Sequence, residues 1–158
     1  MIAVADASPL CYQVFIGEID LLPNLFLHVA AASGHSWAAS SRCSRHGSNL
    51  GIKPAWVARR PRESPFGNRR LEKLQRGEQA AILLAESMKA DIISLDEKAT
   101  RRVAAGRGLR ATGLLGVLGE AANLGMVELA LAIDRLSRTN FRSSPALLKA
   151  SLDRFGER

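Results

Sequence analysis

Short apolar runs alternate with longer amphipathic stretches along this chain, and the alternation predicts strands and helices in turn. Ile2 to Ala5 is an apolar run bounded by Asp6 and the Ser8-Pro9 pair, the pattern of a short buried strand. Ser8 reads as a helix N-cap with Pro9 at the first helical position, and Leu10, Val14 and Ile16 carry that helix to a stop at Gly17. A second short helix is expected from Glu18 to Leu22 or a little beyond, punctuated by Pro23, with an extended segment from Leu25 to Val29. Further along, Arg69 to Gln75 is expected to be helical. Gln79 to Met88 is a strong helix former that is apolar on most sides and therefore largely buried. Asp91 to Leu95 then reads as a strand, Glu97 to Ala105 as a helix ended by Gly106 or Gly108, and Leu109 to Thr112 as another strand. Gly113 to Leu124 is a helix closed by Gly125. Val127 to Ser137 and Ser144 to Phe155 are two amphipathic helices, the last capped by Ser144 with Pro145 in its first turn. Strands alternating with helices imply an α/β fold with a mainly parallel sheet and right-handed crossovers.

The alternation breaks between Ala30 and Ser64, where Ala, Ser, Gly, Arg, His and Trp follow one another with no sustained period. Six basic residues (Arg42, Arg45, Lys53, Arg59, Arg60, Arg62) face one acid, Glu63, in that interval, a net of +5 out of the chain's +7. An evenly basic nucleic-acid-binding face is therefore not what the charge describes. The segment is either a long basic loop or what a locally frame-shifted stretch of a GC-rich gene encodes, and its composition fits both. At 158 residues the chain fits a single domain spanning 1–158, with the irregular segment at about 30–64 and a helical C-terminal part at about 127–158. Aromatic residues make up only 5% of the chain, so the core is expected to be Leu, Ile, Val and Ala. Cys11 and Cys43 lack metal-knuckle or redox spacing, and Cys11 reads as a reduced core thiol of a cytoplasmic protein. Asp6 and Pro9 interrupt the first apolar stretch, so no signal peptide is expected, and no run approaches the ~20 residues of a membrane span.

Three acids change the picture. Asp6 ends the first apolar run, Asp96 ends the run from Ile92 to Leu95, and Glu78 opens the Ala/Leu-rich helix between them. In a parallel sheet functional groups gather beyond the carboxyl ends of the strands, which is where Asp6 and Asp96 fall. Glu78 at a helix start is favoured by the helix dipole and is expected near the same rim. Carboxylates without His or Cys are what hard divalent cations prefer, so the trio suggests magnesium or manganese.

The stretches AVADASPL, RGEQAAILLA, ISLDEKATRRVA and LRATGLLGVLGEAANLG, in this order and spacing, resemble the PIN-domain nuclease superfamily. They are most similar to its small prokaryotic branch related to the toxin ribonucleases of toxin–antitoxin pairs. The resemblance covers residues 1 to about 28 and 70 to 158. It implies a three-layer α/β/α sandwich, metal-dependent cleavage of RNA, a cognate antitoxin protein as partner, and a homodimer. Carried over position by position, it makes Asp6, Glu78 and Asp96 the catalytic and metal-holding acids. Ser94 stands where these nucleases often have a small hydroxyl residue. Glu97 matches a second acid of the branch, either holding metal through water or simply a solvated acid at a helix start. Thr112, before Gly113, either hydrogen-bonds a carboxylate or metal-bound water, or caps the following helix. One position departs from the family, which usually places another glutamate within what are here residues 30 to 64. Glu63, between Arg62 and Ser64-Pro65, matches it poorly. A cage short of one carboxylate leads to the competing expectation, a catalytically impaired PIN-like binding protein.

With an intact site, one or two ions held by Asp6, Glu78 and Asp96 supply a nucleophilic water, charge neutralisation and help for the departing oxygen. Lys98, Arg101 and Arg102 are candidate phosphate contacts for RNA, or else a solvated helix face. His28, His35 and His46 lack metal-ligand spacing, and Ser8 has no general base placed for it. Trp37 and Trp56 either stack on bases or anchor their own segment. Leu10, Val14, Leu21 and Leu22 serve either a dimer face or the core.

Overall fold

The computed structural model describes residues 1–31 and 71–155. Nearly all of the irregular basic segment, with Cys43, Glu63 and both tryptophans, lies outside them. The elements in chain order are β1 (Ile2–Ala5), α1 (Ala7–Ile16), α2 (Leu21–Leu25), β2 (His28–Ala31), α3 (Arg76–Ser87), β3 (Ile92–Ser94), α4 (Lys98–Gly106), β4 (Ala111–Thr112), α5 (Leu114–Asn123), α6 (Leu129–Ser137) and α7 (Pro145–Phe155). The four strands form one all-parallel sheet in the order β2-β1-β3-β4. Ala5 stands opposite Ala31 on one side and Ser94 on the other, and Ser94 pairs in turn with Thr112.

Helices cover both faces, which makes the three-layer α/β/α arrangement that an all-parallel sheet requires. On one face Val4, Ile93 and Leu95 pack with Ala81, Ile82, Leu84 and Ala85 of α3 and Ala104 of α4. Arg107 and Glu86 tie these two helices further with paired bonds of 2.6 and 2.7 Å. The hydrogen bond to Glu86 holds the Arg107 guanidinium above its usual pKa. On the other face Ala3, Ala5, Val29 and Ala31 meet Leu10 of α1, Leu22 of α2 and Val117 of α5. Beyond that layer, Leu114 and Leu118 pack against α6 through Ile133 and Leu136, with Leu148, Leu152 and Phe155 of α7 at the edge. No helix of the described residues is long and apolar enough to cross a membrane.

Several local expectations are corrected. Helix α1 begins at Ala7, so the N-cap position belongs to Asp6 and not to Ser8. Its stop at Gly17 stands, made by a left-handed residue at φ 79°. Pro23 sits inside the first turn of α2, where its missing N–H costs no helical bond. Leu71 to Lys73 form a turn instead of a helix, because Gln75 is extended and starts α3 afresh. Cys11 is buried but disulfide-bonded, not a reduced thiol, so it lends no support to a reducing compartment. Leu10, Leu21 and Leu22 are core residues, with exposures of 3%, 5% and 1%, which removes them as a dimer face.

Gly119 is required by the packing of α5 on α7, because a Cβ there would lie 2.5 to 2.8 Å from three atoms of the Phe155 ring. Gly119→Ala should therefore destabilise the protein by about 1–3 kcal/mol, the usual cost of overpacking. A lowered midpoint in a urea titration is the expected outcome; an unchanged one would mean that the ring moves aside at no cost.

Candidate active site

The strand order places a topological switch point at the centre of the sheet. From β1 the chain runs to β2 on one side, and β3, the next strand among the described residues, lies on the other side of β1. The crevice outside the carboxyl ends of two such strands is where open parallel sheets bind ligands. Asp6 leaves β1 at this point and is 8% exposed, and its backbone N–H donates to Ser94 O at 3.1 Å. Asp96 leaves β3 at the same rim. Its turn is pinned by Arg101, whose Nη1 donates to Leu95 O at 2.8 Å and to Asp96 O at 2.6 Å. The Asp96 Oδ1 atom accepts a long hydrogen bond, 3.4 Å, from the Leu114 N–H at the start of α5, where the helix dipole favours an anion.

Helix α3 starts beside this pair. A Cβ on Gly77 would stand 3.5 Å from Asp6 Oδ1, so the first turn of α3 abuts the aspartate. Glu78 is the next residue and is 7% exposed. Its Oε2 accepts the Gln75 N–H at 3.0 Å, half of a capping box, and its Oε1 accepts the Thr100 hydroxyl at 2.5 Å. Thr100 is fully buried, and this bond joins the first turns of α3 and α4. All three predicted acids thus lie around one edge of the sheet, but the carboxylate of Glu78 is engaged by two protein donors.

The other predicted residues divide. Ser94 is 5% exposed and its Oγ is buried with no hydrogen-bond partner. The Thr112 hydroxyl lies so close over the first turn of α5 that a Cβ on Gly116 would overlap it, and it contacts Gly113 O at 3.4 Å. Glu97 is exposed at the N-cap position of α4. Lys98 and Arg102 are exposed on α4. Arg101 is half-buried with its Nη1 on backbone carbonyls, so it holds the Asp96 turn in place whatever else it contacts. Thr100 was not singled out by the sequence, although a signal exists. It shares the buried face of α4 with Val103 and Ala104 at i+3 and i+4, and a polar residue on an apolar face needs a partner.

An all-parallel α/β/α domain with aspartates at its switch point defines the class of protein. The chain belongs to the PIN-domain family: residues 2–157 match the DUF3368 family, described as a PIN domain. Neither the curated proteins nor the solved structures give a significant match. Nuclease-type function, with a divalent metal, is the general property of PIN domains.

The residues present are compatible with such an ion in part. Asp6, Asp96 and the partnerless Ser94 hydroxyl are an all-oxygen donor set. Magnesium is commonly held by one or two carboxylates while keeping several waters. Among the described residues, however, no three of His, Cys, Asp and Glu are grouped to hold a metal, so a closed cage of three carboxylates is not formed.

Removing the Thr100 hydroxyl would leave Glu78 Oε1 buried without its partner. Thr100→Val is expected to cost about 1–3 kcal/mol, and Thr100→Ser should keep most of the stability. Thermal unfolding of the two variants side by side checks this; equal losses would show that methyl packing, not the hydroxyl, matters at this position.

Proposed function

We propose that this protein is a metal-dependent endoribonuclease of the toxin–antitoxin type, hydrolysing RNA phosphodiester bonds at the rim shared by β1 and β3. The observation that carries the proposal is the placement of Asp6 and Asp96 at the switch point of a PIN-domain sheet. Asp6 and Asp96, with Ser94 between them on β3, would hold a magnesium or manganese ion. When bound there, such an ion would supply charge neutralisation for a phosphate oxygen and a more acidic water.

The chain's own residues do the positioning. Arg101 fixes the Asp96 backbone, and the α5 N-terminus stabilises the ionised carboxylate. Glu78, tied to Gln75 and Thr100, sets the start of α3 against Asp6 and adds negative charge beside it. Glu97, exposed at the N-cap position of α4, would contribute to an ion through water. Lys98 and Arg102, exposed on α4, offer phosphate contacts that carry affinity without sequence choice. The toxin-type resemblance brings with it a small antitoxin partner and a homodimer.

A second reading rests on a specific observation. With both oxygens of Glu78 engaged and no three acids grouped among the described residues, the domain would bind RNA without cleaving it. Incubation of a labelled single-stranded RNA with manganese separates the two. Cleavage is expected for the wild type, with Asp6→Asn and Asp96→Asn each reducing its rate on the order of 100-fold. RNA that stays intact while bound to the wild-type protein would establish the binding-module reading instead.

A further inference from the structure

Beside Asp96 lies a cavity of about 430 Å³, between the end of β4, the first turn of α5 and the inner side of α7. Its volume falls within the ~300–1,000 Å³ of sites that enclose a small ligand. Among the described residues three arginines line it, Arg101, Arg142 and Arg154, against one acid, Asp96. Phe141 and Phe155 form part of its wall, and the Arg154 guanidinium stands 5.0 Å from the centre of the Phe155 ring. The Phe155 ring is held in place from behind by Gly119, and Phe141 by an edge contact with Tyr12 at 5.0 Å between ring centroids. Within this wall the Ser143 hydroxyl is buried and has no hydrogen-bond partner. A buried hydroxyl left unpaired in a protein is an expected partner for a ligand.

Resting on the nuclease reading above, we propose that this cavity is a nucleotide subsite, seating one nucleotide of single-stranded RNA next to the phosphate that lies at Asp96. The combination of features matches what single-stranded RNA presents. Unstacked bases lie against aromatic rings or guanidinium planes, and backbone phosphates pair with arginine. Arg142 takes a phosphate beside the seated nucleotide, and the positive charge of Arg154 adds to the attraction for its backbone. Phe155 with Arg154 takes the face of the base, and Ser143 donates to or accepts from its edge or sugar. Asp96 in the same wall explains how a strand bound there would present its backbone to the acidic rim. The basic groups that guide RNA are thus on α7 and the segment before it as well as on α4.

The test measures anisotropy of a short fluorescein-labelled single-stranded oligoribonucleotide in EDTA, where no cleavage intervenes. Arg142→Ala with Arg154→Ala should weaken binding by about tenfold or more and lower the salt slope by ~1–2, as expected for losing one or two phosphate contacts. Ala150→Trp, an exposed residue of α7 that lines the cavity, fills the space without touching the core and should weaken binding at unchanged thermal stability. Asp96→Asn should bind the probe as well as the wild type or better while losing manganese-dependent cleavage. Wild-type affinity in the double-arginine and Ala150→Trp variants, or no binding of the probe by the wild type at low salt, would overturn the subsite. So would a loss confined to Lys98→Ala and Arg102→Ala, which would put the strand over α4. If the cavity variants lose binding although the wild type never cleaves RNA, the subsite stands and the nuclease reading falls. Intact cleavage with no effect from the cavity variants gives the reverse.

Discussion

Burial of β1 on both sides of the sheet governs the rest of the molecule. Ala3, Val4 and Ala5 are no more than 3% exposed, with β2 and β3 hydrogen-bonded to either edge and helices packed on both faces. A strand enclosed in this way can carry polar chemistry only at its ends, because an uncompensated charge along its length would be desolvated at a cost of several kcal/mol. Asp6 is the first residue past that limit. Small side chains along β1 and β2 let α1, α2 and α5 approach closely, which brings the start of α5 to the same rim and puts its free N–H groups beside Asp96. The acidic edge follows from how the core is filled.

What reaches that edge is sorted by helix starts. Helices α1, α3, α4 and α5 all begin there, so backbone N–H groups and their dipoles converge on a region that also gathers carboxylates. The Asp96 carboxylate accepts a long bond from the start of α5, and Glu78 is enclosed by Gln75 and Thr100. Thr100 therefore links two helices through a carboxylate, and the geometry of α4 relative to α3 depends on it. Glu78 thus shapes the site by fixing the starts of two helices, while the aspartates stand at the strand ends.

Much of this architecture was legible in the sequence because it is local. The apolar runs at Ile2 to Ala5 and Ile92 to Leu95, and the stops at Gly17 and Gly125, are set by residues within a turn or two of the feature. The strand ends carrying Asp6 and Asp96 followed directly. Cap choice was less readable: Ser8 and Pro9 have the local chemistry of a helix start, yet the exit of β1 places the helix one residue earlier and gives the cap position to Asp6. The Thr100–Glu78 bond joins residues 22 apart, and the hold of Arg101 on the Asp96 turn takes up a guanidinium that charge pattern alone assigns to RNA. Arg142, Ser143 and Arg154 were not legible at all, since only the packing of α7 on α5 brings them beside a residue more than forty positions earlier.

The central claim is that the carboxyl ends of β1 and β3 form an oxygen-donor site for a divalent cation. Manganese titration followed by electron paramagnetic resonance, which distinguishes free from bound ion, tests it most directly. Saturable manganese binding by the wild type, lost in Asp6→Asn and Asp96→Asn and retained in Lys98→Ala, is the expected result. Binding that is absent from the wild type, or unaffected by either aspartate substitution, would contradict the account.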